Sequence, residues 1–92
     1  MAAPLLQTDE FKEFMHKYMR LIGAGSISQT AILFGVSRQH FYKWLGGGVP
    51  SWIQQGKICR TIADNTDLSL EIIIDELLAI IKNALLCLDS RA

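Results

Sequence analysis

Gly35 divides the stretch SISQTAILFGVSRQHFYKWLGGG into two short helical segments, and no other feature constrains the fold as much. Glycine takes the left-handed conformation without a steric penalty, so it can stop a helix where the apolar pattern would run on. On the amino side of Gly35, Ser26 followed by Gln29 has capping-box spacing, and a helix is expected to start there. On the carboxyl side, Ser37 is a natural cap for a helix that reaches Leu45 and is broken by Gly46, Gly47 and Gly48. The rest of the chain follows the same helical logic. Thr8 can cap a first helix with Asp9 and Glu10 in its first turn, and Phe11, Phe14, Met15, Tyr18, Leu21 and Ile22 form one apolar stripe until Gly23 and Gly25. Pro50 suits a helix start, and Trp52, Ile53, Ile58, Cys59 and Ile62 line a fourth helix that contains Gly56. Asp64 to Asp67 is a polar turn, and a fifth helix is expected from about Ser69 to Cys87. No long segment alternates as a strand would. The expected fold is all-α, a compact bundle of about five helices in a single domain over residues 1–92.

The chain has no net charge, but its charges are divided. Residues 1–60 carry seven Lys or Arg against three acids, a net +4, and residues 61–92 carry two against six, a net −4. No acid occurs between Glu13 and Asp64, a window that holds six cations and both histidines. A basic half followed by an acidic half points to a polyanion-binding face beside a solvating or assembly face. Half the residues are apolar, which predicts a packed globule. The opening MAAPLLQTDE lacks the pattern of a signal peptide, and Leu68 to Leu88 contains Glu71, Asp75, Glu76, Lys82 and Asn83, which argues against a membrane span. Cys59 and Cys87 fall on apolar helix faces, so both are expected to be buried thiols suited to a reducing cytosol. His16 and His40 have no partner at ligand or triad spacing, Ser37 near His40 has no third group, and GGG lacks the following Lys-Ser or Lys-Thr of a phosphate loop. No catalytic residue, metal or cofactor is expected.

Two helices joined by a short glycine-containing turn form a helix-turn-helix, whose second helix can lie in the DNA major groove. The arrangement needs a small residue where the helices cross (Ala31), a permissive turn (Gly35) and apolar anchors (Val36, Phe41, Trp44). TAILFGVSRQHFYKW supplies each at the required spacing. With Phe41, Trp44 and Leu45 buried, Gln39 and Lys43 point nearly opposite, His40 and Tyr42 lie on the flanks, and Arg38 reaches out from the amino end. Arg can pair bidentately with guanine and Gln with adenine, while Lys43 could reach a guanine edge or a phosphate. Gln29 and Ser37, near helix starts, are candidates for phosphate contacts supported by backbone amides.

Over residues 26–45 the chain resembles the helix-turn-helix of phage Cro, lambda-repressor and lambda CII proteins, on Thr30-Ala31, Gly35-Val36, Phe41 and Trp44. The GGGVP continuation agrees loosely with Cro-like members. The resemblance implies base contacts from Arg38, Gln39 and Lys43, and a phage or prophage transcriptional regulator that binds a palindromic operator in the bacterial cytoplasm, at the nucleoid. Ile32 and Leu33 depart from the pattern, which is usually polar there; packing under the last helix or joining an interface would account for them. In the last helix, Asp75-Glu76, Lys82-Asn83 and Asp89-Ser90 recur every seven positions as one narrow polar stripe among Ile, Leu and Ala. This suggests cover on two sides, by the helix's own core and by a partner. Residues 69–88 are therefore expected to serve as an assembly helix, with Ile73, Leu77, Ile80, Ile81 and Leu85 at the interface of a homodimer or higher homo-oligomer. A rival reading keeps the scaffold as a protein-interaction module, such as an antitoxin or inhibitor.

Overall fold

The computed structural model describes residues 6–91, with side chains over 8–87. Residues 1–5 and the side chains of Asp89 and Ser90 lie outside these limits. In chain order the elements are β1 (Leu6–Gln7), α1 (Asp9–Ile22), α2 (Ile27–Phe34), α3 (Arg38–Leu45), β2 (Gly48–Val49), α4 (Trp52–Asp64) and α5 (Leu70–Arg91). Among the described residues the fold is an all-α bundle of five helices. Its one unexpected element is an antiparallel bridge in which Leu6 pairs with Val49 and Gln7 with Gly48. Two residues per strand are too few to show alternation in a sequence.

Local chemistry sets the helix boundaries. The Oγ atoms of Thr8, Ser26 and Ser37 accept from the backbone N–H of Phe11, Gln29 and His40 at 3.0, 3.2 and 3.1 Å. Each bond satisfies an amide that has no partner inside its helix. Gly35 takes the left-handed conformation (φ 71°), its N–H donates to the Ile32 carbonyl, and the Val36 N–H donates to that of Ala31. This Schellman closure is what sets α3 off from α2. Pro50 lies outside α4, where Ser51 is the cap residue without a side-chain bond and Gln55 reaches back to the Pro50 carbonyl at 2.8 Å.

α1 is the centre of the core. Phe11, Phe14, Met15, Tyr18 and Met19 are buried from its inner face, and Phe34, Phe41 and Trp44 pack together from α2 and α3. The apolar stripe of α1 is corrected at one position: Leu21 is exposed and Met19 takes its place inside. On α4 only Ile58, Cys59 and Ile62 are buried, whereas Trp52 and Ile53, in the first turn, are exposed. Cys87 is also exposed, because α5 has passed beyond the core by that point.

The polar stripe on α5 is interrupted from within. Glu76 accepts from the Tyr18 hydroxyl at 2.6 Å and from the Lys17 ammonium, tying α5 to α1. Burial first, and then the Glu76 carboxylate, hold the Tyr18 phenol well above its ordinary value; burial and Glu76 also raise the Cys59 thiol. The folded protein therefore keeps protons that the unfolded chain releases, and this contribution to stability is full below about pH 9, where the unfolded Cys59 thiol begins to ionise, and falls further above about pH 10, where the unfolded Tyr18 phenol does. Thermal melts followed into the alkaline range should show Tm falling from pH ~9, and falling less steeply above pH ~10 in Tyr18→Phe, which keeps the ring and removes the proton. An identical alkaline slope in both proteins would contradict the assignment.

Candidate nucleic-acid interface

The turn at Gly35 and the anchors Phe41, Trp44 and Leu45 fix α3 so that Arg38, Gln39, His40, Tyr42 and Lys43 are all exposed. The expected base-reading residues, Arg38, Gln39 and Lys43, thus share one outward surface. His40 is more constrained than its exposure suggests, since its ring stands edge-on to Trp44 with centroids 5.2 Å apart. It belongs to the flank of α3. Ser37 and Gln29 are exposed at the starts of α3 and α2, beside helix amino ends whose first turns contain no acid. The Ser37 oxygen accepts the cap bond and the Gln29 amide N–H is used by Ser26, so the Ser37 hydroxyl proton and the Gln29 side chain remain to meet a phosphate.

The charge on this face is uncompensated. Lys17–Glu76 is the one ion pair among the described residues, so neither Arg38 nor Lys43 is paired with an acid there. Two exposed cations on one short helix, beside helix amino ends that carry no acid in their first turns, suit an extended anion. Ile32 and Leu33 are exposed on α2 and do not pack under α5.

Three of the five residues expected at an α5 interface lie in the chain's own core. Ile73, Leu77 and Ile80 are 0, 3 and 8% exposed, because they pack into the protein's own core and offer nothing to a partner. Ile81 is partly buried against the same core, and only Leu85 of the expected set is open. A second seam lies one residue further on. Ile74, Leu78 and Leu85 are 37, 45 and 55% exposed, and with Ile81 they keep the alternating spacing of four and three residues. Between α4 and α5 this seam borders an apolar cavity of about 160 Å³, lined by Trp52, Gln55, Gly56, Cys59, Ile74, Leu77 and Leu78. The signal for it was present in the sequence, since residues 74, 78, 81 and 85 repeat as regularly as residues 73, 77, 80 and 84. Periodicity alone does not say which of two adjacent seams faces inward.

No family model, curated protein or solved structure matches the chain. Among the described residues no group of three His, Cys, Asp or Glu could hold a metal ion, and no helix is long and apolar enough to cross a membrane.

Proposed function

We propose that the protein is a sequence-specific DNA-binding transcriptional regulator of the Cro or lambda-repressor type, acting on a bacterial nucleoid as a homodimer on a palindromic operator. One observation carries this reading. Arg38, Gln39 and Lys43 are all exposed on the second helix of a glycine-turn pair, and neither cation is paired with an acid among the described residues. In the mechanism, α3 enters the major groove, Arg38 and Gln39 pair with guanine and adenine edges, and Lys43 reaches a guanine edge or a phosphate. Gln29 and Ser37 fix the register against the backbone, with His40 and Tyr42 on the flanks. The chemistry is occupancy of a site, and no bond is made or broken.

Alanine at Arg38 or Gln39 should each lower affinity for the best site by roughly 1–3 kcal/mol and relax the preference at one base position. Fluorescence anisotropy on the best site and on its single-base variants measures both effects. Equal losses on random DNA would demote these residues to phosphate contacts.

Dimerisation rests on the second seam. Leu78→Glu places a charge on a face that is half open in the single chain, so the fold should survive while self-association is lost. Sedimentation at micromolar concentration should find a dimer for the parent protein and a monomer for the variant. A monodisperse monomer of the unsubstituted chain would rule out the dimer.

The protein-interaction reading is favoured by a different observation, the exposed Ile32 and Ile53. Salt separates the two. A DNA complex releases counterions, and its affinity falls steeply and linearly in log units with salt, whereas an apolar protein contact does not.

A further inference from the structure

We propose that the open groove along α1, bordered by Lys12, His16 and Arg20, holds the phosphate backbone of the same duplex just beyond the base pairs that α3 would read. The inference rests on the DNA-binding reading and adds a second contact surface to it. Lys12, His16 and Arg20 are four residues apart, so they lie on one face of α1, each displaced from the next by a rise of about 6 Å. With Glu13 and Lys17 they line an open depression of about 540 Å³.

The groove is tied to α3. His16 Nε2 lies 3.2 Å from the Leu45 carbonyl, and because that oxygen can only accept, Nε2 carries the proton. His16 therefore stands at the carboxyl end of the proposed reading helix, and the groove continues outward from there. The cations in it are not equivalent. Lys17 is neutralised by Glu76 and lies over the Tyr18 ring, 4.6 Å from its centroid, so its work is structural. Lys12 and Arg20 are exposed and have no ion-pair partner among the described residues. The only acid in the groove is Glu13. An open trough with two free cations spaced along a helix suits a linear polyanion better than a small enclosed ligand, and DNA is the polyanion that α3 already presents to it.

The test measures anisotropy of the full-length protein on a random duplex and on its best site, between about 50 and 200 mM salt. Lys12→Ala/Arg20→Ala should reduce the salt slope by about two, roughly one for each phosphate left without its cation, and weaken both duplexes by a similar factor, on the order of tenfold per phosphate near 0.1 M salt. Glu13→Gln should act in the opposite direction, tightening both duplexes by up to about fivefold at low salt. That gain cannot arise from misfolding, and a thermal melt checks that the double variant retains its structure. An unchanged slope in the double variant, or no tightening in Glu13→Gln, overturns the groove proposal. If Arg38→Ala still loses site preference in that case, the DNA-binding reading stands without it. If the parent protein binds neither duplex at any salt, both fall together, and an acidic protein segment becomes the occupant to test.

Discussion

A chain ending at Asp67 is expected to be unfolded at room temperature. α5 contributes Ile73, Leu77 and Ile80 to the core and also carries Glu76, which accepts the hydrogen bond of the otherwise buried Tyr18. Burying three such side chains is worth on the order of 5–9 kcal/mol. Removing the helix also exposes the faces of α1 and α4 that it covered, Tyr18 among them. That loss is comparable to the whole stability of a small domain, about 5–15 kcal/mol. Circular dichroism and one-dimensional proton NMR of residues 1–67 should show low helicity and collapsed dispersion. A fragment that melts cooperatively would mean that α5 is an appendage added for assembly, and the core assignment of its inner seam would be wrong.

Gly47→Ala is expected to be strongly destabilising. Gly47 has φ +99°, a conformation that side chains rarely adopt, and a Cβ there would stand 2.5 Å from the backbone oxygen of Thr8. Thr8 cannot readily withdraw. Its N–H donates to the Gly47 carbonyl at 3.0 Å, and its hydroxyl caps α1. Backbone strain of about 1–3 kcal/mol and displacement of the cap, typically ~1 kcal/mol, act together with the steric clash, for an expected loss of roughly 3–5 kcal/mol. For a domain of this size that corresponds to a fall in Tm of more than about 12 °C. Gly46→Ala is the internal control. Its φ is −84° and its Cβ would make ordinary contacts at 3.5 Å, so it should change stability little. Similar melting of the two variants would show that the approach of the GGG segment to Thr8 is not a fixed feature of the fold.

What was legible in the sequence is what local chemistry decides. Thr8, Ser26 and Ser37 cap their helices through a hydroxyl three residues from its donor, and Gly35 ends α2 through its own conformational freedom. The outward set Arg38, Gln39 and Lys43 was equally legible, because three buried anchors on an eight-residue helix determine where the other residues point. What required tertiary packing was not. Glu76 belongs with Tyr18, 58 positions away in the chain, and nothing near it distinguishes it from Asp75, its solvent-facing neighbour. Leu21 and Met19 are both apolar, and only the approach of neighbouring helices decides which is covered. Which seam of α5 faces inward was hidden for a related reason. α5 carries apolar residues on two adjacent seams, and the preference of the core for Ile73 over Ile74 is set by how α1 and α4 approach it. Trp52 and Ile53 repeat this at the start of α4, in an apolar first turn that extends beyond its own core.

Whether α3 reads DNA sequence within a symmetric dimer is decided by selecting bound duplexes from a random-sequence pool and sequencing them. The expected product is a pseudo-palindrome with half-site centres about one helical turn, 10–10.5 base pairs, apart, with loss of preference at a symmetric pair of positions when Arg38 or Gln39 is alanine. A pool that passes through repeated rounds without enrichment, bound by the parent protein and both variants alike, would contradict the proposed function.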